Sequence, residues 1–189
     1  MNVTILSCGP SLRETYNPLT DSADEIVAIN RAAEEYAHDW WAFFDKETIL
    51  FRGNPEKGIL TTNAVHRMIM CNPDLKRLWL PGWERMRVPK AQYIEGFSFV
   101  IAISVILSQW SPKKIDIYGM DLEGTKDFTG EHVDDRWDNR GDKRRSSARW
   151  NREIVSLRKI MELHPDTEFI NHSPLSKGLF NGSPGLFRT

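Results

Sequence analysis

The sequence predicts an α/β fold: a single Rossmann-like domain, with a mainly parallel sheet flanked by helices. Two observations predict it. Short apolar, β-branched segments recur along the chain, and longer segments with apolar residues at helical spacing lie between them. Strands that alternate with helices form parallel sheets. The 189 residues, 40% of them hydrophobic, can bury one such core. Because no repeat or low-complexity linker divides the chain, we assign residues 1–189 to one domain.

The predicted strands are short apolar runs that end at turn-forming or polar residues. Their ranges are residues 3–7, 25–29, 40–44, 58–61, 77–80, 114–118 and 168–170. The tail from residue 171 is rich in Gly, Pro and Ser and is predicted to be a loop.

Short helices are predicted where a capping residue follows a strand. Ser11 can cap a helical turn, with Glu14 three residues later completing a capping box. A turn of helix is predicted at 32–37, and Asn63 can cap a helix that continues through Met70.

Two longer helices supply most of the expected helical core. Residues 97–109 are apolar on most sides, which predicts a buried helix. A second helix is predicted at 147–163, with apolar residues along one stripe. The stripe consists of Trp150, Ile154, Leu157, Ile160 and Met161.

The bulk composition excludes several classes of protein. A formal net charge of -1 disfavours a general nucleic-acid binder, which usually carries a basic surplus. Two cysteines, Cys8 and Cys71, are too few for a disulfide-rich secreted scaffold and lack the spacing of metal ligands. No signal peptide is recognised, and the longest apolar run, 97–107, is too short to span a bilayer. We therefore expect a soluble, cytoplasmic protein without a membrane span.

The first strand is followed by a turn that suits a phosphate. Gly9 permits close approach of the backbone, and Pro10 fits the first turn of a helix. The N–H groups at a helix N-terminus, together with the Ser11 hydroxyl, can then bind a phosphate-bearing ligand. A turn with a capped helix and no ligand is the alternative interpretation.

Polar residues end three further strands. In parallel sheets ligands bind outside the carboxyl ends of the strands, so these positions can converge on one crevice. Asn30 carries donors and an acceptor for a base or sugar edge, whereas Asp45 and Asp121 can accept from ribose or sugar hydroxyls. Each can instead cap the segment after it. The coincidence of all four strand ends favours a binding site.

Several of these segments resemble a known protein family. Gly9-Pro10-Ser11-Leu12 resembles the G-N-G-P-S-L signature of small bacterial sialyltransferases that use CMP-sialic acid, and a related signature occurs in 6-hydroxymethylpterin pyrophosphokinases. Further segments are similar in the same order. They are residues 27–31, 42–45, 96–98, 114–122, the helix from 147, and 169–171. The resemblance implies a donor crevice that also includes Cys8, Ser98 and Gly119.

This chain departs from the family pattern at important positions. Ser7 and Cys8 replace the first Gly and the Asn of the signature, and a thiol cannot copy the hydrogen bonds of an amide. The general-base His of the family has no counterpart at 142–147, and its paired tyrosines are absent between Asp121 and Ser146.

The polar stretch 123–146 is predicted to be a lid, because it is too long and too polar for an ordinary connection. Arg144 and Arg145 are candidates to neutralise a leaving phosphate, and His132 is the candidate general base. His172, after the last strand, is the second choice. A metal site at His132, Asp134 and Asp135 is a weaker alternative, and a solvated loop is the simplest one.

The favoured function is a transferase that moves a sugar from a nucleotide sugar to an unidentified acceptor, with no cofactor required. One alternative is an ATP-dependent pyrophosphokinase acting on a pterin, which would need Mg²⁺. The other is a non-catalytic protein that sequesters a nucleotide. The resemblance also allows a homo-oligomer, since the family commonly assembles.

Overall fold

The computed structural model describes residues 1–43, 67–70, 84–87, 98–121, 143–174 and 176. The strands in these ranges are β1 (Asn2–Leu6), β2 (Glu25–Ile29), β3 (Trp40–Phe43), β4 (Arg67–Met70), β5 (Glu84–Arg87), β6 (Lys114–Tyr118) and β7 (Glu168–Asn171). The helices are α1 (Leu12–Thr15), α2 (Ala32–Glu35), α3 (Ser98–Trp110) and α4 (Lys143–Leu163).

The described strands form one seven-stranded sheet in the order β5-β4-β3-β2-β1-β6-β7. Every pairing between neighbours is parallel. The predicted α/β fold class is therefore confirmed. The strand order reverses between β1 and β6, which places a crevice outside the carboxyl ends of these two strands.

One side of the sheet, which we call the long-helix face, packs against α3 and α4. Alternate residues of the central strands point to it, among them Ile5 of β1, Val27 of β2 and Ile117 of β6, all of them buried. Almost every described position of α3 from Phe99 to Leu107 is also buried, as its apolar sequence predicts. The result is one continuous apolar layer between sheet and helices.

The opposite side, the short-helix face, is covered differently. Leu6, Ala28 and Tyr118 of the sheet pack there against residues of α1, α2 and the chain that follows α1. Tyr16 lies edge-on against the rings of Tyr36 and Tyr118, with ring centroids 5.7 and 5.1 Å away. This face therefore combines short helices with an aromatic cluster.

The structure corrects one predicted helix. Residues 67–70 form the strand β4, where the sequence suggested the end of a helix capped by Asn63. Met68, Ile69 and Met70 pair with Trp41, Ala42 and Phe43 of β3. Short apolar segments are ambiguous between helix and strand, and here pairing with a buried strand decides the outcome. The predicted strands at 58–61 and 77–80 lie outside the described residues, and β5 was not predicted.

Smaller corrections concern the start of α4, the cap of α1 and the end of β7. The helix α4 begins at Lys143, so residues 143–146 belong to it and not to the predicted lid. Ser11 has helical backbone angles and makes no side-chain cap, so the capping box is wrong. Asn171 belongs to β7 and not to the terminal loop.

Among the described residues, no helix is both long and apolar enough to cross a membrane.

Candidate functional site

The loops after β1 and β6 meet at the point where the strand order reverses. The Gly9 N–H donates to the carbonyl oxygen of Gly119 at 2.7 Å. A Cβ at Gly9 would overlap that oxygen and lie 2.5 Å from Asp121 Oδ2. Gly119 itself has a φ of 67°, in the left-handed region that favours glycine. The two loops are therefore packed at a distance that only glycine permits.

The carboxylate of Asp121 lies inside the turn after β1. Its Oδ2 accepts a hydrogen bond from the Ser11 N–H at 2.8 Å. Asp121 is 4% exposed and Ser11 is 7% exposed. Asp121 Oδ1 and Ser11 Oγ are buried without a hydrogen-bond partner in the part of the chain that the structure describes. Buried polar atoms are nearly always paired, so these two oxygens mark a place where a further polar group is needed.

This arrangement changes the interpretation of the Gly9–Ser11 turn. The predicted phosphate site depended on free N–H groups, but Gly9 N–H and Ser11 N–H already donate within the protein. The Leu12 N–H donates to the carbonyl of Gly9 at 3.1 Å. In addition, α1 is only four residues long, and a carboxylate at its start repels a phosphate. The turn is thus better suited to a ligand that donates hydrogen bonds.

Asn30 and Cys8 lie beside this point, at the ends of β2 and β1. Asn30 has a φ of 47°, a conformation that Asn and Gly tolerate best. Its N–H donates to the Ala42 carbonyl at 2.8 Å, and its carbonyl accepts from the Trp41 indole at 3.0 Å. The Cys8 thiol donates to the Ile29 carbonyl at 3.0 Å. These contacts hold the Asn30 backbone rigidly at the carboxyl edge.

The segment after β7 supports the same edge, which the sequence did not predict. The Met120 N–H donates to Ser173 Oγ at 2.6 Å, and Ser176 Oγ donates to the Met120 carbonyl. Asn171 Nδ2 donates to Ser176 Oγ at 2.8 Å. Ser173 and Ser176 are fully buried, to 0% and 1% exposure. Polar residues in a Gly-, Pro- and Ser-rich tail gave no signal that they would be buried.

A second polar cluster lies on the short-helix face beside the edge strand β7. His172 Nε2 contacts Asp116 Oδ1 at 2.9 Å, and Lys114 Nζ contacts Asp116 Oδ2 at 2.8 Å. The imidazole stacks on the Tyr118 ring with a centroid distance of 4.2 Å and an interplanar angle of 3°. Burial, followed by the nearby charge of Asp21, raises the pKa of the Tyr118 hydroxyl. In the sequence, Asp116 is a charged residue between two isoleucines of a predicted strand, and this is the feature that could have indicated a polar contact there.

The structure brings together one group of predicted site residues. Cys8, Gly9, Pro10, Ser11, Asn30, Gly119 and Asp121 lie in the loops at the carboxyl ends of β1, β2 and β6.

The remaining predicted residues lie elsewhere. Ser98 begins α3, and Arg144 and Arg145 lie in the first turn of α4. The helix α3 precedes β6, and α4 precedes β7. Each helix therefore ends near the amino end of a strand, and its N-terminus lies at the carboxyl edge of the sheet. Asp45 and His132 lie outside the described residues.

Solved structures resemble this one over almost its whole length. The sialyltransferase CstII from Campylobacter jejuni in complex with cytidine-5'-monophosphate (CMP) matches with a TM-score of 0.61 and 14% identity, covering 98% of this chain and 86% of that one. CST-II with a trisaccharide acceptor and CMP matches at 0.58 and 13%, covering 100% and 89%. The α-2,3-sialyltransferase Cst-I from the same organism matches at 0.51 and 12%, covering 96% and 82%.

This chain has the fold of these sialyltransferases. The likeness is one of structure, since the sequence matches no family model and no curated protein. The glycosyltransferase fold is consistent with a ligand crevice at the reversal of strand order, where the Gly9 and Asp121 loops meet.

Proposed function

We propose that this protein is a sialyltransferase-like glycosyltransferase, which binds a nucleotide sugar at the carboxyl ends of β1, β2 and β6 and transfers the sugar to a hydroxyl of an acceptor. The observation that carries the proposal is the match over 98% of the chain to a sialyltransferase in complex with CMP. One fold can support many reactions, so the argument also depends on what the described residues can bind.

The buried oxygens of Asp121 and Ser11 support recognition of a hydroxyl. Asp121 Oδ1 can accept a hydrogen bond, and Ser11 Oγ can either donate or accept one. A ribose or sugar hydroxyl satisfies both types of group, whereas a phosphate would face the Asp121 carboxylate. In this proposal the turn after β1 therefore binds the sugar part of the donor and not its phosphate.

The phosphate would lie nearer the start of α4. Its first turn contains Lys143, Arg144 and Arg145 and no acidic residue. Cations at a helix N-terminus are unfavourable, because the aligned peptide dipoles make that end positive. A phosphate there would relieve the repulsion, and the two arginines could stabilise negative charge as the nucleotide leaves.

Asn30 is the proposed contact to the base or sugar of the donor. Its backbone is fixed by the hydrogen bonds to Ala42 and Trp41, so its amide group starts from a defined position at the edge of the sheet. A group that is already in place loses little conformational entropy when a ligand binds.

The test is a thermal-shift titration with CMP, UDP and their sugar conjugates, followed by an assay for release of the nucleotide. A ligand that binds only the folded protein raises the midpoint by mass action. We expect a rise with one nucleotide and its sugar conjugate in the absence of Mg²⁺, and release of that nucleotide over time.

Asn30→Gly is the sharpest variant, because glycine keeps the left-handed backbone and removes only the amide group. It should weaken nucleotide binding by about tenfold, the cost of about 1.4 kcal/mol. Ser22→Ala, in the exposed loop before β2, is the control and should bind as the wild type does.

Other outcomes of the titration identify the alternatives. A shift with ATP only when Mg²⁺ is present would favour the pyrophosphokinase. Binding of a nucleotide sugar without any release would favour a sequestering protein. Absence of a shift with every nucleotide would contradict the proposed function.

A further inference from the structure

The contact between His172 and Asp116 determines which nitrogen of the imidazole carries the hydrogen. An ionised carboxylate can only accept, so the contact of 2.9 Å requires that His172 Nε2 carries the hydrogen. Lys114 already places a positive charge 2.8 Å from the other Asp116 oxygen. The charge of Asp116 is therefore compensated without a second cation, and a neutral imidazole is sufficient to make the contact.

A neutral imidazole with its hydrogen on Nε2 has a lone pair on Nδ1. Nδ1 makes no hydrogen bond within the part of the chain that the structure describes, and 34% of the side chain is exposed. The nitrogen that can accept a proton is thus the one that faces away from Asp116.

Three contacts fix the orientation of this ring. The Tyr118 ring supports one face, Asp116 holds Nε2, and the backbone N–H of His172 donates to the Ile117 carbonyl at 2.8 Å. Asp116 is itself 8% exposed. Together these contacts hold the imidazole in an orientation that directs Nδ1 away from Asp116.

The position of His172 links it to the candidate site. It follows β7 at the carboxyl edge, and the next residue, Ser173, accepts the hydrogen bond of Met120 N–H at 2.6 Å. Met120 directly precedes Asp121. The loop that contributes Asp121 to the crevice and the segment that contains His172 are therefore joined by a buried contact.

The other described histidines lack these properties. His38 is buried, at 7% exposure, with Nδ1 2.8 Å from the Tyr36 carbonyl. His164 follows α4 and precedes β7, which places it at the amino end of the sheet, opposite the crevice.

From this geometry we infer that His172 is the general base of the transfer reaction and that Asp116 is its positioning residue; the inference rests on the proposed function. The acceptor hydroxyl gives its proton to His172 Nδ1 while its oxygen forms a bond to the anomeric carbon of the donor sugar. The bond from that carbon to the nucleotide phosphate breaks, and the electron pair leaves on the phosphate oxygen. Asp116 stabilises the imidazolium that results.

The charged and titratable groups around the imidazole are few in the described residues. Lys114 and Asp116 lie on β6, Tyr118 stacks on the ring, and Asp21 lies near the Tyr118 hydroxyl. A pH profile that depends on His172 must therefore be compared with that of an Asp116 variant, which changes the nearest charge.

The first experiment determines the tautomer in the resting protein. Nitrogen-15 NMR of histidine-labelled protein, with H172Q to identify the signal, should show that the neutral imidazole of His172 carries its hydrogen on Nε2. A hydrogen on Nδ1 of the neutral imidazole would overturn the inference, because Nδ1 would then have no lone pair to accept the proton.

The second experiment measures release of CMP from CMP-sialic acid, with water as the acceptor. H172Q should lower kcat by about 10²-fold or more, the usual contribution of a general base, and should remove the fall in rate at acid pH. D116N should lower kcat less and leave KM within about twofold, since it removes only the charge that supports the imidazolium. H164Q is the matched control and should keep the wild-type rate.

The experiments distinguish failure of the proposed function from failure of the role proposed for His172. Wild-type protein that binds none of the nucleotides and releases none from its sugar conjugate would contradict the proposed function. Wild-type protein that releases CMP at the same rate as H172Q would leave that function intact and overturn the role of His172.

Discussion

The long-helix face and the short-helix face of the sheet differ in what they bury. On the long-helix face, β-branched and other apolar side chains of the sheet meet α3 and α4 in one apolar layer. Within the residues that the structure describes, the short-helix face has two helices of four residues each, an aromatic cluster, and the polar pair of Asp116 and His172. Polar chemistry is concentrated on the second face and at the carboxyl edge.

This difference suggests that one face mainly provides stability and that the carboxyl edge mainly provides ligand binding. Burial of apolar area is the main source of stability, and the long-helix face provides most of it. Unpaired buried oxygens such as Ser11 Oγ reduce stability, and they lie at the edge where a ligand is proposed to bind. The comparison therefore predicts that substitutions on the long-helix face affect mainly stability, whereas those at the edge affect mainly binding.

The largest expected effect on stability is on the long-helix face. Ile106→Ala removes a fully buried side chain of α3 and should lower the free energy of unfolding by about 2–5 kcal/mol in urea denaturation. Nucleotide affinity of the folded fraction should not change. Val155→Ala on α4, at a side chain that is 64% exposed, is the control and should cost less than about 0.5 kcal/mol. Equal losses from both variants would contradict the assignment of the core.

Gly9→Ala tests the close contact between the loops after β1 and β6 at the carboxyl edge of the sheet. The added methyl group would overlap the Gly119 carbonyl and crowd Asp121, so the two loops must separate. We expect a loss of about 1–3 kcal/mol in unfolding free energy, together with loss of nucleotide binding in a thermal-shift assay. Ser22→Ala, in the exposed loop before β2, is the control and should change neither. Wild-type binding by Gly9→Ala would show that the contact of the loops does not shape the site.

Ser11→Ala separates stability from binding most directly. It removes a buried hydroxyl that has no partner among the described residues, so the free energy of unfolding should stay the same or rise by up to about 1 kcal/mol. Binding of a nucleotide sugar, measured by calorimetry, should nevertheless weaken about fivefold, the effect of about 1 kcal/mol. A variant that loses stability and keeps its affinity would assign Ser11 a structural role.

The last prediction concerns the dependence of stability on pH. Burial lowers the pKa of His38 below its usual value of 6.5. As the pH falls below 6.5, the unfolded chain takes up a proton that the folded protein resists, so stability is full above 6.5 and declines below it. The slope for one proton is at most about 1.4 kcal/mol per pH unit. Urea denaturation between pH 5 and 7.5 should show a shallower decline in His38→Gln than in the wild type, whereas His164→Gln should keep the wild-type slope.

Much of the fold could be predicted because its signals are local. The strand at 114–118 was predicted with its exact bounds, and β2 likewise at 25–29. The buried helix was predicted within one residue, because its apolar composition leaves few alternatives. The segment 67–70 was mistaken for the end of a helix, since its three apolar residues are too few to show a period and only the pairing with β3 makes them a strand.

The candidate site was predicted in part. Polar residues at strand ends pointed to Asn30 and Asp121, and the family resemblance pointed to Gly119. The structure places all three at one edge of the sheet. It could not be predicted that Asp121 would accept the Ser11 N–H, because these residues lie 110 positions apart. That contact is one of the reasons why we propose a sugar hydroxyl, and not a phosphate, as the ligand of this turn.

The sequence by itself determined that this chain forms a parallel α/β sheet, because the alternation of short apolar strands with longer amphipathic segments leaves few other ways to bury its apolar residues. The tertiary structure decided which polar groups compensate one another. Asp116 meets His172 across 56 residues, and Asp121 occupies the turn after β1. Hydrogen bonds of this kind depend on distances of about 3 Å between segments far apart in the chain, and a local pattern in the sequence contains no information about them.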